Sequence, residues 1–239
     1  MKLFLAFTVI LLLTAVSVNS QEADKKNTDY IEIFSTAFDG AQIAFHIRPE
    51  GRYANVKGSP YLDSVWRSGR IFLKADTIGS EFLVRYNVYG NEMQFLHKSD
   101  TLAISNPLMV EVILLAGHRF EYLPFLWNKN ENMAWFKIIA DGKARFMVRY
   151  SSRLETGTDP VSPYHCQNSA DRFVSGKHYY YQLSGMAMPA EMPANKNAFL
   201  SIKKFNSQEI IDFIRSKRIS FRDEEDMNVL FSWINQSLN

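Results

Sequence analysis

The side chains able to do chemistry are scattered along this sequence. The five histidines, His46, His97, His118, His165 and His178, show no H-x-H or H-E-x-x-H spacing. No two stand four apart on a helical stretch, so the paired ligands that hold zinc are not signalled. His165-Cys166 is the one adjacent soft pair, but a nucleophilic thiolate needs a base brought to it by the fold. A loop position is the plainer reading. Met186, Met188 and Met192 have the spacing of a thioether cluster, which would select Cu(I) in an oxidising compartment. The opposing reading is that methionines on a Pro-containing flap fill gaps over a sheet. The run Tyr179-Tyr180-Tyr181, with Tyr86 and Tyr89, would make a ligand-binding surface if exposed, although tyrosine is also ordinary strand composition. Glu81, Glu92, Glu111 and Glu121 fall on candidate strands. Two of them facing each other across a groove would be an acid/base pair of the glycosidase kind; charges on a wet sheet face are the simpler explanation.

No G-x-S-x-G elbow is present, and the eleven glycines are spread over turns without forming a phosphate-binding loop. No cofactor is expected and no catalytic residue is assigned.

The elements that must position these groups are short β-strands. Phe82, Val84, Tyr86 and Val88 alternate with Leu83, Arg85, Asn87 and Tyr89, the period of a strand with one apolar and one mixed face. Gly90-Asn91 turns that strand back through Met93 and Phe95, with the glycine expected to take positive φ. Val110 to Leu115 reads as a strand buried on both faces. Ala134–Ala140 and Lys143–Tyr150 form the clearest hairpin, joined by Asp141-Gly142. On its second strand Ala144, Phe146, Val148 and Tyr150 face inward, and Lys143, Arg145, Met147 and Arg149 face water. Lys177–Leu183 and Ala198–Ile202 are the last predicted strands. Between them run two long irregular stretches, Ser151–Ser175 and Ser184–Asn197, of the kind that carries function. After Asn206 the period becomes helical. Asn206 and Glu209 have capping-box spacing, and the helix ends near Lys217. Ser220 opens a second helix with the stripe Met227, Leu230, Phe231, Ile234 and Leu238.

The chain begins Met1-Lys2, then runs apolar from Leu3 to Val18 before Asn19-Ser20-Gln21. One early positive charge, an apolar stretch short of the ~20 residues that span a bilayer, and small residues at its end describe a secretory signal peptide over residues 1–20. Residues 21–57 form a lead and a first hairpin around Asp39-Gly40, residues 58–205 a β-rich domain, and residues 206–239 a helical hairpin packed on it. The net charge of +2 argues against nucleic acid. A single cysteine gives no internal disulfide, so packing by 18 Phe, 11 Tyr and 4 Trp must supply stability.

Gly58-Ser59-Pro60-Tyr61-Leu62, then Arg85-Tyr86-Asn87-Val88-Tyr89 with Glu92-Met93-Gln94-Phe95, then Glu224-Glu225-Asp226, resemble uncharacterised secreted β-rich proteins of Gram-negative bacteria. The resemblance implies an envelope location and a meander with a C-terminal helical pair. It brings no activity.

The expected fold is therefore mainly β, an antiparallel meander forming a sandwich or a partly open barrel, closed by an α-helical hairpin. The expected role is a non-catalytic secreted or periplasmic protein that binds an envelope protein or a small ligand, with no transmembrane span in the mature chain. The expected location is the periplasm or beyond, with the outer membrane as a place of association. The alternatives are a carboxylate-dependent hydrolase and a Cu(I)-binding protein.

Overall fold

A computed structural model of the chain describes residues 44–46, 53, 55–74, 79–98, 100–157 and 170–237. The expected signal peptide, the expected Asp39-Gly40 hairpin and His165-Cys166 lie outside the described residues.

Eleven strands form one antiparallel sheet: β1 Ala44–His46, β2 Arg67–Leu73, β3 Ser80–Asn87, β4 Glu92–His97, β5 Asp100–Ile104, β6 Val110–Leu115, β7 His118–Trp127, β8 Asn130–Ala140, β9 Ala144–Glu155, β10 Arg172–Leu183 and β11 Ala190–Glu191. Their order is β1-β5-β4-β3-β2-β6-β7-β8-β9-β10-β11. The fold is mainly β, a meander with helices at its C-terminus, as the alternating sequence requires. It is an open sheet, since β1 and β11 are edges, but it is curled. The Asn91 side chain, in the turn between β3 and β4, donates to the Met133 carbonyl at 3.1 Å and accepts from the Trp135 N–H at 3.4 Å. Met133 and Trp135 belong to β8, and three strands separate β3 from β8 in the sheet. Only a sheet bent towards a barrel brings them together.

The concave face carries the larger core. Ile71, Val84, Tyr86, Met93, Phe95, Ile113, Phe120 and Trp135 pack there from six strands adjacent in the sheet, β4 through β8. Gly69 allows the tight approach of β2 and β6: an added Cβ would stand 2.7 Å from the Leu114 carbonyl oxygen and 2.9 Å from a Val84 methyl. Three helices, α1 Lys196–Leu200, α2 Gln208–Lys217 and α3 Glu224–Ser237, close the same side over β8 to β10. Phe146, Phe199, Phe205, Leu230 and Phe231 form that second core.

Several expectations change. Ala198–Ile202 is not a strand, because Asn195 caps a helical turn by accepting from the Ala198 N–H. Ser151–Ser175 is not all loop: β9 runs on to Glu155 and β10 begins at Arg172. Ser207, not Asn206, caps α2. Asp223 caps α3 through the Glu225 and Asp226 N–H groups. At the β3–β4 turn the positive φ falls on Asn91, at 53°. Strand β6 is not buried on both faces, since Leu114 is exposed. On the predicted wet face of β9, Met147 and Arg149 are buried.

Candidate functional site

The inner surface of the curled sheet leaves a cleft of ≈ 370 Å³ between the Tyr61–Arg67 segment and strands β6 to β9. Its walls are apolar: Val84 and Tyr86 of β3, Leu115 of β6 and Phe120 of β7, with Leu62 at the mouth. Strand alternation also places Arg67, His118, Lys137 and Tyr150 on this concave face. A second space of ≈ 230 Å³ adjoins it and shares Leu62 and Tyr150, with Gly176 and Lys177 of β10 on its far side.

The segment before β2 is held as a wall. Tyr61 pairs with Asn87, extending the sheet beside the end of β3. Arg85 is clamped between the rings of Tyr61 and Trp66, at 4.0 and 4.2 Å from their centroids, and its Nε donates to Gln94. Arg67 is ion-paired with Asp63 at 2.8 Å.

The polar end of the cleft is built around the first turn of α3. Glu224 accepts from Lys137 at 3.0 Å and from Lys177 at 3.2 Å. Burial by itself would raise the Glu224 pKa, but hydrogen bonds and charge from Lys137, then Lys177, hold it below the usual carboxylate value. Lys177 sits 5.9 Å from the Tyr150 ring centroid. Tyr150 is pushed up to about 12, first by burial and then by the Glu224 charge, so its hydroxyl keeps its proton. His118 is held below its ordinary value by burial and then by Lys137. It is therefore neutral at pH 7, with one nitrogen free to accept a proton and the other to donate. Tyr86 is raised by burial and donates to Asn91 at 3.0 Å.

This arrangement can enclose a small apolar body and meet a polar or anionic end with the Tyr150 hydroxyl, the His118 imidazole and the lysine ammonium groups. None of Glu81, Glu92, Glu111 and Glu121 lines it. Glu81 pairs with Arg70, and Glu121 with Arg119 and Arg145, on the opposite face of the sheet. No group of three His, Cys, Asp or Glu side chains is gathered closely enough for a metal among the described residues.

The tyrosine triplet is divided between two cores. Tyr179 and Tyr181 lie with Phe146 and Phe205, at ring distances of 5.5 and 5.6 Å, in the core beneath the helices. Tyr180 points to the outer face and is buried against Phe125 and Phe136. The three methionines have different neighbours. The Met186 sulfur accepts from the Leu183 N–H at 3.2 Å, Met192 is buried in the helix–sheet core, and Met188 is half-buried between them in sequence.

Sequence reasoning singled out neither Lys137, Tyr150 nor Glu224 as site residues. A signal for Lys137 existed: it shares a strand face with Trp135, so an inward-facing core strand carries a charge. Glu224 was legible only as a favourable acid at a helix start.

No family model matches the chain, and no curated protein or solved structure matches it.

Proposed function

We propose that this is an exported, non-catalytic binding protein that holds a small, largely apolar ligand with a polar or anionic end in the concave cleft. The observation that carries the reading is the cleft's composition. Apolar walls from β3, β6 and β7 surround one polar end, where Lys137 and Lys177 meet Glu224 beside the protonated Tyr150. The volume is within the ~300–1,000 Å³ typical of small-molecule sites. Counting Arg67, Arg85, Lys137 and Lys177 against Asp63 and Glu224, the surroundings of the cleft carry two excess positive charges, which suits an anionic end. Among the described residues, the two carboxylates at the cleft are each committed to cations, Asp63 to Arg67 and Glu224 to Lys137 and Lys177, which favours binding over hydrolysis.

The test is fluorescence titration with 8-anilinonaphthalene-1-sulfonate, an apolar aromatic probe with one anionic end. Saturable binding at one site is expected. Leu62→Trp, which fills the mouth shared by both spaces, should weaken it at least tenfold while leaving the melting temperature unchanged. Binding that does not saturate, or that Leu62→Trp leaves intact, rejects the cleft. Export is tested separately: the amino terminus of the protein recovered outside the cytoplasm should begin at Gln21.

A further inference from the structure

The outer face of β7 to β10, on the far side of the sheet from the cleft, contains a buried cation without a carboxylate. Arg149 is 8% exposed. Its guanidinium lies 4.7 Å from the Phe125 ring centroid, 4.9 Å from that of Trp127 and 6.0 Å from that of Tyr180. Its Nε is buried with no hydrogen-bond partner. Among the described residues, no carboxylate lies within ion-pair distance of it. Arg145, on the same strand face, shows the ordinary arrangement: it is ion-paired with Glu121 at 2.6 Å and with Asp141 at 3.0 Å.

Aromatic faces return only part of what burying a guanidinium costs. A cation–π contact is weak beside the desolvation of an uncompensated buried charge. The neighbouring Tyr180 hydroxyl is also buried and has no acceptor for its proton; burial pushes its pKa up, and Arg149 beside it pulls against that rise. The Arg149 Nε–H and the Tyr180 O–H, side by side and each without an acceptor, are a donor set for an oxyanion.

The charge count selects the anion. His178, directly across from Arg149 in the β9–β10 register, has its Nε2 3.0 Å from the Ser151 hydroxyl. Burial, then the Arg149 charge, holds it below its ordinary pKa, so it is neutral at pH 7. Glu191 faces Tyr180 across β10 and β11 and adds a negative charge at the edge. Arg149 is thus the one cation of the cage, which favours a monoanion over a phosphate dianion. Trp127, 42% exposed at the rim and 5.4 Å from the His178 ring, offers a flat apolar face beside it.

We propose that Arg149 and the Tyr180 hydroxyl form a second binding site, which takes the carboxylate of a small aromatic acid whose ring lies against Trp127.

Benzoate is the probe, benzamide the neutral control and inorganic phosphate the competing anion. Benzoate should raise the melting temperature of the full chain and alter its tryptophan fluorescence with one saturable constant; benzamide and phosphate should do neither. Arg149→Met should weaken benzoate binding at least tenfold, and its unliganded melting temperature should be no lower than that of the parent, because an unpaired buried charge has been removed. Should that variant fail to fold, Arg149→Lys replaces the planar fork by a point charge and should weaken binding about tenfold. Tyr180→Phe should weaken it severalfold. Leu62→Trp, which blocks the concave cleft, should leave benzoate binding unchanged. Equal binding of benzamide, stronger binding of phosphate, full binding by the Arg149 variants or loss in Leu62→Trp would each overturn the proposal.

Discussion

Glu224 joins the cleft to the helix that closes it. Lys137 is 13% exposed and Lys177 54%, so the two ammonium groups depend on Glu224 to different degrees. An exposed pair contributes about 0–1 kcal/mol, whereas removing one partner of a buried pair costs about 3–5 kcal/mol. Glu224→Gln leaves Lys137 half-stranded and should fall between these limits, at about 1–2 kcal/mol by urea denaturation at neutral pH. Lys177→Met should cost less than about 1 kcal/mol. Equal losses from the two substitutions would mean that Lys137 is no more dependent on Glu224 than a surface lysine is. The sign with pH follows from the lowered Glu224 pKa. Its contribution is present above the ordinary value of 4.5 and is lost as pH falls through the lower folded value. Glu224→Gln should remove that acid limb. Of the residues at this site, Tyr150 was legible as inward-facing from alternation alone. The burial of Arg149, on the opposite face of the sheet, was not legible, because the same alternation assigns it to the wet side. Burial of that side depends on Phe125, Phe136 and Tyr180 arriving from three other strands, and a single strand's period carries no information about such neighbours.

At the scale of elements, α3 is attached to the β8–β9 turn by one side chain. Asn235 accepts from the Ala144 N–H at 2.8 Å and donates to the carbonyls of Ala144 and Asp141, at 2.8 and 3.2 Å. Gly142 makes room for it: φ there is +148°, and an added Cβ would lie 2.6 Å from the Asn235 amide carbon. Asn235→Ala should cost about 2 kcal/mol, since it removes three bonds and leaves the Ala144 N–H without its partner. Gly142→Ala should also destabilise, by displacing the same amide. In a double-mutant cycle the two losses should be clearly less than additive. Full additivity would show that the glycine acts through its backbone alone. The Asp141-Gly142 turn and the α3 stripe were both legible in sequence, because each follows from spacing between near neighbours. Their attachment spans more than ninety positions and leaves no local pattern. The strand expected at Ala198–Ile202 failed for a related reason. A short apolar run is compatible with either period, and what decided it was the Asn195 cap and the burial of Phe199 among Phe205, Phe221 and Phe231.

The whole molecule is a curled sheet whose two sides are both partly buried, and this sets how it should respond to acid. His97 of β4, His118 of β7 and His178 of β10 sit on separate strands, and all three are held below their ordinary pKa, in each case first by burial. Lysine or arginine charge adds to the effect: Lys98 on His97, Lys137 on His118 and Arg149 on His178. The unfolded chain takes up these protons near 6.5, before the folded chain does. The folded state therefore has its full advantage above that pH and loses it as pH falls through the lower folded values. Glu224, with its lowered pKa, adds a further loss only below about 4.5. Thermal stability should accordingly fall in two stages, the first beginning just under pH 6.5 while the carboxylates are still ionised. Replacing all three histidines by Gln should flatten the first stage and leave the second. Melting curves from pH 7.5 down to about pH 4 would read this directly. A first stage of unchanged depth in the triple variant would assign the acid sensitivity elsewhere. His178 faces Arg149 directly across the β9–β10 pair, so His178→Gln alone should already make that stage shallower. Benzoate, by neutralising Arg149, should raise the His178 pKa towards its ordinary value and so make that stage shallower, its onset still being set by the unfolded chain.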